Sequence, residues 1–245
     1  MMRWLLLVLA ILGCADVAHA AERRFTLGAF DRVRVEGDVS VEIRSDTAPF
    51  AFATGDPRAL EALTIRVQGD TVYVRRARRN APAEARNLPS EPAPELHVVL
   101  NARAISAVAV LGNGNLRIDQ LRGDKASATL DGTGLVEIDR IASPAATLSL
   151  NGSGRMVVAG KAQTGRVTML GDGTIEGAGL AMTSLDFTGE GPVTARVSID
   201  GPVRIAVKGG ATLTIGGNPV CTVRQIGDNS ITCGAGGHDG SGLAR

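Results

Sequence analysis

The side chains that could carry chemistry are few and widely spaced. Cys221 and Cys233 become an even pair once Cys14 is removed with an export signal, and an even pair in an exported chain points to a disulfide. A metal centre would ask for more soft ligands than His238 adds. No C-x-x-C spacing is present, which favours a structural bond over a redox couple. His97, flanked by Leu96 and Val98, has the setting of a strand-face residue rather than a general base. Asn113, Asn151 and Asp172 each stand beside a glycine, an arrangement that could hold calcium as glycine- and aspartate-rich β-rolls do. Those rolls repeat every nine residues or so with an Asp in each copy, whereas the residue type varies here, so turn shaping is the preferred role. Arg75, Arg76, Arg78 and Arg79 could touch an anionic surface such as lipopolysaccharide or an acidic glycan; a solvated loop is the plainer reading. No catalytic residue, cofactor site or metal site is assigned on this pattern.

The elements that would position these groups come from a repeat. Six segments align on a Gly-rich corner: VAVLGNGNLRI at 108, ATLDGTGLVEI at 128, LSLNGSGRMVV at 148, VTMLGDGTIEG at 167, LDFTGEGPVTA at 185 and IAVKGGATLTI at 205. Aligned on the first glycine, at 112, 132, 152, 171, 189 and 209, the spacings are 20, 20, 19, 18 and 20. Apolar residues alternate before the corner, from Val108/Val110 to Ile205/Val207, and again after it, from Leu116/Ile118 to Leu213/Ile215. That is strand periodicity on both sides of a bend. A weaker third segment lies around Leu121, Ile141, Leu180 and Ile199.

A unit of about twenty residues cannot bury its own apolar side. Copies must therefore stack, each strand pairing in parallel with the next at about 4.8 Å. Glycine suits the corners because a sharp bend needs positive φ or a close backbone approach. The expected fold is all-β, a parallel β-solenoid of coils of about 20 residues over 105–218. The glycine pairs are not dinucleotide loops, because each leads into a strand and not a helix.

Residues 30–75 read as an irregular first part of the same fold. FDRVRVEGDVSVEIRS alternates around Gly37; Asp56 can cap and Pro57 can open one short helix to about Leu63; LTIRVQGDTVYVR forms a hairpin turning at Gly69-Asp70. An exposed loop rich in Pro, Ala and Arg is expected over 76–95. Residues 219–233 are expected to form a cap, a hairpin-like segment tied by Cys221 and Cys233 and turning near Gly227-Asp228-Asn229, ahead of a Gly-rich tail over 234–245.

FDRVRVEGDVSVEIRS, the helix after GDP, the hairpin LTIRVQGDTVYV and the G-x-G coils together resemble the bacterial family of exported proteins called the auto-transporter adhesin head domain, or head GIN domain, a family named for an unknown function. The resemblance covers roughly 30–234. It implies a right-handed parallel β-solenoid and a part in surface attachment. After the coils the sequence carries GAGGHDGSGLAR where an autotransporter carries a membrane barrel, so self-translocation is not expected.

Residues 1–20 have the parts of an export signal: Arg3, the apolar run Leu5–Leu12 and Ala18-His19-Ala20 as the cleavage motif, giving a single mature domain over 21–233. ILGC offers a competing lipobox that would tether the chain through Cys14, although Ile11 and Leu12 are not the usual residues ahead of Gly-Cys. Removal of Arg3 and Asp16 leaves the net charge at +1, and aromatics are 3% of the chain. Neither a basic face nor stacking rings are available for nucleic acid. No later stretch is long and apolar enough to span a membrane.

The function expected is an exported, non-enzymatic surface or envelope module, periplasmic or at the cell surface, binding a glycan or an envelope protein through flat solenoid faces. The alternatives are a periplasmic polysaccharide-active β-helix enzyme and a purely structural envelope protein.

Overall fold

The computed structural model describes residues 21–45, 48–77 and 95–234. Ahead of the repeats lie β1 (Ala21–Thr26), β2 (Arg32–Glu36), β3 (Ser40–Arg44), β4 (Phe50–Gly55), α1 (Pro57–Glu61), β5 (Leu63–Gln68), β6 (Thr71–Arg76) and β7 (Leu96–Asn101). The repeats hold β8 (Ala107–Gly112), β9 (Asn115–Ile118), β10 (Leu121–Arg122), β11 (Lys125–Gly132), β12 (Leu135–Ala142), β13 (Ala145–Gly152), β14 (Arg155–Lys161), β15 (Thr164–Gly171), β16 (Thr174–Met182), β17 (Ser184–Glu190), β18 (Thr194–Lys208), β19 (Thr212–Ile226) and β20 (Ser230–Cys233). They wind as an all-β solenoid of about six turns.

Two faces carry most of the pairing. The first runs β5, β6, β2, β8, β11, β13, β15, β17 and then the second halves of β18 and β19. The second runs β1, β4, β7, β3, β9, β12, β14, β16, the first halves of β18 and β19, and β20. Pairing is parallel everywhere except β1 with β4, β4 with β7 and β5 with β6. A narrow third face carries Leu121 on Ile141, Ile141 on Gly160 and Gly160 on Leu180.

The alternation read from the sequence is the alternation of burial. Val108, Val110, Ala128, Leu130, Leu148, Leu150, Val167 and Met169 face inward from the first face, and Leu116, Ile118, Val136, Ile138, Met156, Val158 and Ile175 from the second. These columns form one continuous core. Burying such side chains stabilises by about 1.5–3 kcal/mol each, which no single coil could collect alone.

The register needs one correction. Gly171 stacks on Gly152, and the glycine above it is Gly191, followed by Gly209 and Gly227. Ser127 pairs with Ala107, Thr147 with Ser127, Arg166 with Thr147, Asp186 with Arg166, Arg204 with Asp186 and Thr222 with Arg204, offsets of 20, 20, 19, 20, 18 and 18. Gly189 is therefore not a corner. It lies inside β17, buried, where a Cβ would stand 3.0 Å from both Phe187 and Val193. Gly191 holds the corner with φ 101°. A slip of two residues leaves a period-two pattern unchanged, which is why alternation alone could not detect it.

The N-terminal third follows expectation. Asp56 caps α1, accepting from the Arg58 and Ala59 amides at 2.9 and 3.2 Å, and Pro57 opens the helix. Ala59 and Leu60 turn their side chains into the end of the core. β5 and β6 form the hairpin about Gly69, at φ 59°.

Residues 219–233 differ from the expected hairpin. The outer half of β19 pairs in parallel with β18, Cys221 against Val203, and β20 pairs in parallel with β19, Ser230 against Thr212. The segment is one further coil, with Gly227 at its corner. The expected export signal, Cys14, Arg78 and Arg79, most of the 76–95 loop, and the tail with His238 lie outside the described residues.

Candidate binding faces

Once the register is fixed, outward side chains fall into rows that cross the coils. On the first face, the middle row reads Arg34, Ala109, Thr129, Ser149, Thr168, Thr188, Ala206 and Arg224. Four consecutive coils thus present a hydroxyl, at the strand spacing of about 4.8 Å. Beside it runs a second row with Ser127 and Thr147, then Arg166, Asp186 and Arg204. Each hydroxyl can both donate and accept, so the stripe offers a regular lattice of hydrogen-bonding groups.

Alignment of the fifth copy on Gly189 would put Asp186 in one row with Ser149, Thr168 and Ala206. The two-residue slip accounts for this. Thr188 holds the row position, and Asp186 sits one row over, held by Arg204 at 3.3 Å and Arg166 at 4.0 Å. On the second face the same alignment would put Thr194 with Arg117 and Glu137, where Arg196 belongs; Thr214 shares that row. Thr194 instead stands between Thr174 and Thr212.

Several charged residues of the second face are locally paired. Arg117 reaches Asp139 at 3.2 Å and Arg155 reaches Glu176 at 2.8 Å. His97 lies on the strand face, exposed, with its Nε2 3.7 Å from Glu42. The hydrogen bond from Arg44 holds the Glu42 carboxyl below the usual range, aided by the charges of Arg44, His97 and Arg117 and opposed by partial burial. In the second-face row Val157 separates Glu137 from Glu176, so their carboxylates are not neighbours.

The corner residues split into two rows. Asn113 accepts from the Thr133 hydroxyl at 2.7 Å, while Asn151 donates to Asp131 at 3.2 Å one row away. Asn151 is therefore not stacked with Asn113 and Asp172. No group of three or more His, Cys, Asp or Glu among the described residues could hold a metal ion. Arg75 reaches Glu36 at 3.7 Å and Arg76 the Asp38 carbonyl at 3.2 Å, so the described half of the basic run contacts its own coil.

Cys221 and Cys233 form the disulfide, with their Cα atoms 6.6 Å apart. Cys221 continues the inward column of Val203 and Cys233 that of Ile215. The bond joins the two faces across the interior of the last coil, where apolar contacts join them in earlier ones.

Stacked parallel coils with flat polar rows outside and one apolar column inside define a solenoid repeat module. The chain belongs to the family described as "Putative auto-transporter adhesin, head GIN domain", whose model matches residues 29–219. Among solved structures, a putative adhesin from Bacteroides fragilis is similar with a TM-score of 0.77 at 15% identity, over 87% of this chain and 96% of that one. A putative lipid binding protein from Parabacteroides distasonis gives 0.68 at 16%, over 88% and 96%. A putative adhesin from Parabacteroides merdae gives 0.64 at 16%, over 86% and 95%. These likenesses establish the fold. No curated protein matches the chain. No helix of the described residues is long and apolar enough to cross a membrane.

Proposed function

We propose that this chain is an exported, adhesin-like module that binds a repetitive ligand, a surface glycan, through the hydroxyl rows of its first face and catalyses no reaction. The observation that carries the reading is the row Thr129, Ser149, Thr168 and Thr188, unbroken over four coils with Ser127 and Thr147 alongside. A polymer with a short repeat can match such a lattice many times over, so weak contacts add along the axis. Family membership and the adhesin names of the structural neighbours support a surface role. The reading includes removal of residues 1–20 on export and a right-handed winding of the coils, as the family resemblance implies.

The test is a glycan array and sedimentation with purified envelope polysaccharide, using the chain from Ala21 onward. Ser149→Arg and Thr168→Arg place bulk in the middle of the row without touching the core. Binding by the parent chain and its loss in the double variant, with unchanged circular dichroism and unshortened glycan, support the reading. Retained binding in the variant sinks the face assignment; shortened glycan sinks the non-enzymatic assignment.

A further inference from the structure

The two ends of the solenoid are built differently. At the N-terminal end the edge strands β1 and β5 pair antiparallel with their neighbours and carry charge, Glu22, Arg23 and Arg24 on β1 and Arg66 on β5, while α1 inserts Ala59 and Leu60 into the core. At the other end, among the described residues, the outer half of β19 and the whole of β20 have a strand neighbour on one side only. Val223 and Ile231 pack on the core from below and are half-buried. Val220 and Ile226 are the two most exposed large apolar residues described, at 70% and 68%. Sheet edges of this kind are normally blunted by charge, proline or a cover. Between Val220 and Ile226 stands one charge, Arg224.

The strand is complementary to itself. Antiparallel pairing about Val223 sets Val220 opposite Ile226 of a second copy, Thr222 opposite Arg224, and Val223 opposite Val223. Outward positions meet outward positions, so the two exposed apolar residues cover each other, and the lone charge meets a hydroxyl, not its own image. We propose that the C-terminal end of the solenoid is an interface for a second copy of the chain, formed by antiparallel pairing of residues 220–226 about a two-fold axis. The disulfide fixes the terminal coil that presents this edge. This interface is the last strand of the first face and shares no residue with the hydroxyl row Thr129, Ser149, Thr168 and Thr188.

The test is sedimentation equilibrium of the oxidised chain from Ala21 onward at about 100 μM, a range that detects weak, small interfaces. The parent chain should be dimeric. V220K/I226K sets lysine against lysine twice and should weaken the dimer at least about tenfold. V220K/I226E sets lysine against glutamate in the same register and should restore it. Both positions are exposed, so folding is checked only by circular dichroism. A monomeric parent overturns the proposal; if the chain ending at Gly234 then dimerises, the tail covers the end. A dimer indifferent to V220K/I226K also overturns it, placing the contact elsewhere.

Discussion

Gly189 and Gly191 stand two residues apart, and the structure gives them opposite tasks. Gly191 turns the corner at φ 101°, against the Gly171 carbonyl, so Gly191→Ala strains the backbone and drives a methyl into another backbone. Strain alone costs about 1–3 kcal/mol, and backbone cannot step aside. Gly189 has no positive φ; its missing side chain makes room for the Phe187 ring, whose Cε1 would lie 3.0 Å from an added Cβ, with Val193 at 3.0 Å and Val207 at 3.4 Å. Gly189→Ala is therefore overpacking, at about 1–3 kcal/mol. Phe187→Leu withdraws the ring edge and alone costs about 1–2 kcal/mol for the space it leaves. Combined with Gly189→Ala it should cost less than the sum, with a coupling of about 1 kcal/mol. Combined with Gly191→Ala it should show none. Urea unfolding of the parent, the three single variants and the two double variants, followed by circular dichroism, measures both cycles. Coupling of Phe187 to Gly191 and not to Gly189 would refute the register.

Replacing both cysteines, C221A/C233A, opens a loop of about thirteen residues and should cost about 3 kcal/mol by chain entropy. Hydrogen exchange should place the loss in β19 and β20 and leave β11 and β13 protected, because repeat stability is local. Asp56→Ala removes both capping hydrogen bonds of α1 and should cost about 0.5–2 kcal/mol, read by thermal unfolding. Glu42 has a folded-state carboxyl lowered from 4.5, so its contribution is present above that value and is lost as pH falls through the lowered one. Glu42→Gln should flatten the acid limb of the stability profile there, and high salt should shrink the difference, because the Arg44 partner is exposed.

Most of the architecture was legible because it is written in two independent signals. Alternation of apolar residues gave the strands and which side faces inward, and it held even in the fifth copy, where the alignment was wrong. Glycine gave the corners, but it serves two masters here. In TGEGPV, Gly189 clears space for Phe187 and Gly191 bends the chain; both look alike in a one-dimensional pattern. The next coil offered a clue, since the ladder continues at Gly209 with 18 residues per turn and not 20. The hydroxyl row was hidden by the same slip, because an aligned Asp186 breaks it and an aligned Thr188 completes it. The disulfide pairing followed from cysteine number alone, but its place across the core did not. Glycine, Asp and Asn at 227–229 suit a hairpin turn as well as a solenoid corner, and only pairing of Ser230 with Thr212 decides between them.

That last ambiguity has a physical consequence for the stack. A hairpin across the end would have turned its own backbone groups inward and finished the sheet; a further coil postpones the problem by one layer and leaves a new edge. Each inward residue of an internal coil is covered from both sides, whereas within one chain and among the described residues Cys221, Val223, Ile231 and Cys233 are covered from one. The last coil therefore collects roughly half the interface energy of its neighbours while its chain entropy cost is the same. A covalent link between the faces lowers that cost where packing is weakest. At the N-terminal end, α1 and the antiparallel strands add packing instead, and no cysteine is found in the described part. The position of the bond thus follows from the direction in which the solenoid is left open, and cooperative fraying on reduction should begin at β20 and travel toward the capped end.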